Sequence, residues 1–153
     1  MTLVIGYGNP GRGDDGLGPA CAERLAAMQL PGVEVLVDFQ LKPEHALRLA
    51  ACRRVIFADA AIAMPDAFRL TPLEPAETGD VTSHAMAPGV LLALARDLVG
   101  ATPEAHVLAI SGADFGQMQD GLSETAERNL GTALAHLADW LARQDDHAAP
   151  VLG

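Results

Sequence analysis

Short apolar runs alternate along this chain with segments whose apolar residues recur at helical spacing, and that alternation restricts the fold more than any other feature. The runs Leu3 to Ile5, Val33 to Val37, Val55 to Ala58 and His106 to Ile110 each stop at Gly, Asp or Ser, the habit of strands buried in a parallel sheet. Between them Leu17, Cys21, Leu25 and Met28 share one helical face, as do Val90, Leu91, Leu94 and Leu98. Leu122, Ala126, Leu130, Leu134, Leu137 and Leu141 mark a long terminal helix. The pattern predicts a three-layer α/β/α sandwich, phosphorylase/hydrolase-like, with a mostly parallel sheet of about five strands and its site at their carboxyl ends. Phe68 to Leu70, between Pro65 and Pro72, adds a short antiparallel edge strand.

A chain of 153 residues has the length of one domain and buries about two-thirds of its unfolded surface. A single α/β domain over 1–144 is expected, with 145–153, small, polar and ending near Pro150, as a flexible tail. Half the residues are apolar and only 4% aromatic, so Ala, Leu, Val and Ile must build the core. A net charge of −10 argues against a nucleic-acid partner, whose phosphates need Lys and Arg. Cys21 and Cys52 lack any paired spacing and read as small, reduced, buried side chains. The N-terminus enters a core strand without the basic start and apolar stretch of a signal peptide, and no apolar run approaches the roughly 20 residues of a spanning helix. A cytoplasmic monomer with no membrane association is the expectation.

The first strand leads into Gly6-Tyr7-Gly8-Asn9-Pro10-Gly11-Arg12-Gly13-Asp14-Asp15-Gly16-Leu17-Gly18. Glycines at this density serve positive φ angles and close backbone approach. Gly6, Gly8 and Gly11 satisfy the dinucleotide pattern G-x-G-x-x-G, with Asp38 ending the second strand where a ribose-binding acid would sit. Charge weighs against that reading, because Asp14 and Asp15 occupy the helix start that a pyrophosphate would need. Gly6 to Gly11 also resembles the opening of bacterial peptidyl-tRNA hydrolases, but no downstream Arg-His-Asn follows, and an acidic surface suits tRNA poorly.

Taken whole, the segment follows G-x-G-N-x-x-x-x-D-D/E-x-x-G and resembles the signature of the hydrogenase maturation endopeptidases, whose second acidic residue helps bind a metal. Asp14 alone reads as a helix N-cap, which leaves Asp15 for other work. Asp59 ends the third strand and His84 precedes the Pro88-initiated helix, both at the rim where a parallel sheet presents its site. The resemblance places metal ligands at Asp15, Asp59 and His84 and implies that these residues carry catalysis. Two carboxylates and an imidazole make an incomplete shell that suits nickel, or zinc in its place, with positions left open. Held close without metal, the two aspartates would repel and the proton affinity of at least one would rise.

The resemblance implies a hydrolase whose partner is a nickel-loaded hydrogenase large-subunit precursor and which removes that precursor's C-terminal extension. Whether nickel polarises the scissile carbonyl or an aspartate activates water, as in aspartyl proteases, stays open. Where many members carry Asp-Gly-Gly-Thr, this chain has Asp38-Phe39-Gln40-Leu41-Lys42-Pro43-Glu44, which looks more like members serving cytosolic NAD-linked bidirectional hydrogenases and marks Asp38 and Gln40 as substrate-recognition candidates. The stretch Gly112 to Gly121, with Gly116 and Phe115, reads either as a wall over a peptide groove or as a plain connection. His45, His106, His136 and His147 lack carboxylate companions at ligand spacing and read as structural or solvated.

Overall fold

The structure, a computed structural model, describes residues 1–77, 86–116 and 120–147. Strands β1 (Thr2–Tyr7), β2 (Val33–Asp38), β3 (Arg54–Ile62), β4 (Phe68–Pro72) and β5 (Glu104–Gly112) form one sheet in the order β2-β1-β3-β5-β4. Neighbours run parallel except β4, which lies antiparallel to β5 at one edge. The α/β expectation therefore holds, including the short antiparallel strand between Pro65 and Pro72. Four α-helices, α1 (Leu17–Ala27), α2 (His45–Leu49), α3 (Pro88–Val99) and α4 (Glu124–His147), cover the sheet among the described residues, and a 3₁₀ turn over Gly13–Gly16 precedes α1.

Strand alternation sorts the core into two layers, since successive side chains point to opposite faces. Val4, Ile56, Ala58, Leu108 and Ile110 pack against Leu17, Cys21 and Leu25 of α1 and against Ala126, Leu130 and Leu137 of α4. Leu3, Ile5, Val55 and Phe57 face the other way, onto Ala46 and Leu49 of α2 and Leu91, Leu92 and Ala95 of α3. Each fully buried Leu, Ile or Phe contributes about 1.5–3 kcal/mol of transfer free energy. Cys21 lies within the first layer, where burial pushes its thiol up to about 12; Cys52 is half-buried, and both are free.

Local chemistry explains the boundaries nearest the site. Pro88 opens α3, where its missing N–H is no loss, and Gly100 closes it at φ 68°, a left-handed conformation that glycine adopts without strain. The glycines of the first loop serve close approach: a Cβ on Gly18 would run into the carbonyls of Tyr7 and Ala58, and one on Gly6 would meet the Gly18 carbonyl. Their absence of side chains lets α1 descend onto the ends of β1 and β3. At the other end of the chain α4 runs to His147, three residues into the expected tail at 145–153, because no helix breaker precedes Pro150. Positions 148–153 lie outside the described residues.

Candidate active site

β1 and β3 end side by side, and what happens there follows from register. Gly6 pairs with Ala58, so Tyr7 and Asp59 come next on neighbouring strands, on the face that carries Ile5 and Phe57. Tyr7 also pairs with Asp38 across β2. Asp38, Tyr7 and Asp59 therefore stand in a row along the carboxyl rim of the sheet. The 3₁₀ turn brings Asp15 to the same rim, where its charge is felt by Asp59.

Each carboxylate of the pair is held by a main-chain donor. The Asn9 N–H donates to Asp15 Oδ2 at 2.8 Å, and the Ala60 N–H donates to Asp59 Oδ1, also at 2.8 Å. Burial raises the proton affinity of Asp59, the Asp15 charge raises it further, and hydrogen bonds from Tyr7 and Ala60 only partly oppose this. Tyr7 is pushed above its ordinary range by burial first and then by the facing Asp59 carboxylate, to which its hydroxyl donates. The repulsion expected of two close aspartates is thus present at Asp59.

The third proposed ligand, His84, lies outside the described residues. Among the described residues no three His, Cys, Asp or Glu side chains come together as a metal site. Asp15 and Asp59 lie at the same rim, and carboxylate oxygens of this kind suit a divalent ion.

Asp38 and Gln40 part company. Asp38 accepts the Phe39 N–H at 2.7 Å and has Lys42 Nζ at 3.3 Å and His45 Nε2 at 3.2 Å. Burial would raise its pKa, but these donors and charges outweigh burial and hold it below the usual carboxylate range. Gln40 is exposed on the turn into α2. The contact to Asp38 corrects the expectation that His45 lacks a carboxylate companion. The buried His45 also accepts the Lys42 N–H on Nδ1 at 3.0 Å, so the imidazole fastens the turn that follows β2.

Asp14 requires a second correction, for its side chain caps no helix. Gly16 occupies the N-cap position of α1 without a side-chain hydrogen bond. Instead the fully buried Asp14 carboxylate accepts the N–H groups of Ala113 (2.7 Å), Asp114 (2.8 Å) and Ser123 (2.7 Å) and the Ser123 hydroxyl (2.6 Å). Burial alone would raise its pKa; the four donors more than compensate and lower it. The Asp14 N–H in turn donates to the Asp114 carbonyl at 2.7 Å. One acid thus fastens the 3₁₀ turn to the start of the Gly112 to Gly121 stretch and to Ser123 just beyond its end; positions 117–119 lie outside the described residues.

The glycine loop leaves little for a dinucleotide. The Asn9 N–H is taken by Asp15, the Gly11 N–H by Asn9 Oδ1 at 2.9 Å, and Asp38 by its own turn. A pyrophosphate would have to displace these contacts and sit beside Asp15, against its charge.

No family model matches the chain, and no curated protein does so by sequence. Solved structures do match. The hydrogenase maturating endopeptidase HybD from E. coli superposes with a TM-score of 0.74 at 21% identity, covering 95% of this chain and 94% of that one. A [NiFe] hydrogenase maturation protease HycI from Thermococcus kodakarensis gives 0.69 at 21% identity over 91% and 90% of the two chains. A hydrogenase 2 maturation peptidase from a Thaumarchaeota archaeon gives 0.66 at 23% identity over 92% and 97%. Near-complete coverage in both directions at this level of identity establishes a common fold.

Proposed function

We propose that this chain is a hydrogenase maturation endopeptidase that recognises nickel in a hydrogenase large-subunit precursor and cleaves off the precursor's C-terminal extension. The reading is carried by one coincidence. The fold is shared with proteins named as hydrogenase maturation proteases, and at its carboxyl rim the loop and strand bring Asp15 close enough to raise the proton affinity of Asp59. A carboxylate pair of that kind is strained when empty and relieved by a divalent cation. Nickel arrives with the substrate in this scheme, and His84 completes the set of ligands. Engaging it requires Asp59 to be ionised, a state that the Tyr7 hydroxyl and the Ala60 N–H favour. A divalent ion so held would polarise a neighbouring peptide carbonyl.

The partner is accordingly the nickel-loaded precursor, in the cytoplasm, acted on by a monomeric enzyme. Zinc would substitute for nickel in the isolated protein. The turn carrying Asp38 and Gln40 contacts the precursor.

Incubation with a nickel-loaded precursor and intact-mass measurement tests the reading. Shortening by the wild-type chain, lost in Asp15→Ala, Asp59→Ala and His84→Ala, is the expected result. Processing that survives all three substitutions overturns it, and so does binding without shortening, which would make the chain a metal-sensing binding protein. Thermal melting discriminates the remaining class: nickel or zinc should raise the transition and NAD or ATP should not.

A further inference from the structure

β3 outruns its neighbour. β1 leaves the ladder after Gly6–Ala58, whereas β3 continues beside β5 through Ala60, Ala61 and Ile62. Which side each residue of this overhang addresses follows from hydrogen bonds at the two ends of the pairing. The Ala63 N–H donates to Gly112 O at 3.4 Å and the Glu104 N–H to Arg53 O at 3.0 Å, so odd-numbered residues of β3 turn their main chain toward β5. Even-numbered residues turn theirs toward β1.

Beyond Asp59 there is no β1 to receive them. Continued pairing would bring the Asn9 N–H to the Ala60 carbonyl, but that N–H goes to Asp15; the Ala60 N–H goes to Asp59. The two carboxylates of the site thus take up main-chain donors at the fork where β1 and β3 separate. The Ala60 carbonyl and the N–H and carbonyl of Ile62 have no main-chain partner on that side among the described residues. Ile62 is 78% exposed, the most exposed of the large hydrophobic residues among those described.

We propose that the precursor's peptide docks here as an extended strand, hydrogen-bonded to Ala60 O and to Ile62 N and O, with its scissile segment lying over Asp15 and Asp59. The inference rests on the endopeptidase reading and adds the mode of substrate binding to it. An open strand edge offers donors and acceptors at strand spacing, which an extended main chain matches and a globular surface or a compact ligand does not. Its direct continuity with Asp59 selects the substrate over any other strand. The exposed Ile62 side chain adds apolar contact beside it.

Ile62→Pro deletes the outward N–H while sparing the Ala61 and Ala63 donors that hold β5, and Ala61 is already extended as a residue before proline must be. With nickel-loaded precursor, KM should rise by about fivefold to tenfold, the loss of one hydrogen bond, with an unchanged melting transition. Ile62→Ala, which keeps the N–H, should stay closer to wild type. Pulse-labelled hydrogen exchange of the unmodified chain, taken seconds after mixing with precursor, should show protection at Ile62, and this arm does not depend on the proline variant folding. Unaltered KM in a folded Ile62→Pro, or no protection at Ile62 while the wild type cleaves, overturns the edge-docking proposal and leaves the endopeptidase reading standing. A wild-type chain that neither binds nor shortens the precursor removes both.

Discussion

Tyr7 and Asp59 stand side by side at the ends of adjacent parallel strands, and the phenol donates to a carboxylate whose proton affinity burial has raised. The hydrogen bond favours the ionised acid. Tyr7→Phe removes it without changing the packed ring, so the Asp59 pKa should climb further and the acid limb of cation binding should move to higher pH. A partner that orients a ligating carboxylate is worth about 10-fold to 100-fold in affinity or rate. Calorimetric titration with nickel or zinc across a pH series should show that loss, and superimposable wild-type and Tyr7→Phe profiles would refute it.

In the proposed function Asp59 sets stability against activity. A carboxyl whose folded pKa lies above its unfolded value binds its proton more tightly when folded, so stability is greatest at low pH and declines as pH rises through the folded value. Asp59→Asn removes the ionisation and the repulsion from Asp15. The metal-free variant should therefore melt higher than wild type at neutral pH, the gap closing in acid, while precursor cleavage disappears. A melting temperature lowered at neutral pH would contradict this account.

The sheet and its rim were legible because they obey short-range periodicity. Val55, Phe57 and Asp59 alternate as strand residues do, and the same parity, a signal present in the sequence, places Tyr7 after Leu3 and Ile5 on the same face. The partners of Asp14 were not legible. They lie 99 to 109 positions away, joined by tertiary packing alone, so a carboxylate at a helix start looked like an ordinary cap. The Asp38–His45 pair eluded the sequence for a related reason, since the path of the intervening turn decides whether the two side chains meet. His84 stays a proposal from resemblance.

Gly18 tests how the site is assembled. Its Cβ position falls on the Tyr7 and Ala58 carbonyls, which are strand backbone and cannot step aside as a flexible side chain would. Gly18→Ala should separate α1 from the ends of β1 and β3, displacing the turn that carries Asp15, although alanine is the better helix former. Loss of several degrees in the melting transition, together with weakened nickel binding, is the expected pair of results. Unchanged melting and metal affinity would show that the helix does not need this approach.

Asp14 gives the opposite pH behaviour from Asp59. Its folded pKa is depressed below the unfolded value, so its contribution is present above the unfolded pKa and is lost as pH falls through the folded one. Asp14→Ala strands the N–H groups of Ala113, Asp114 and Ser123 and the Ser123 hydroxyl, and should destabilise the chain by about 3 kcal/mol or more. Asp14→Asn retains the shape but replaces one acceptor oxygen by a donor, and it should fall in between. Because the carboxylate fastens the turn that carries Asp15 to the start of α4, the loss should also lower nickel affinity in whatever fraction remains folded. Denaturant titrations of the three proteins at pH 7 and pH 4 check both parts: the wild-type advantage over Asp14→Ala should shrink at the lower pH, and a gap that widened instead would reverse the sign assigned to this buried acid.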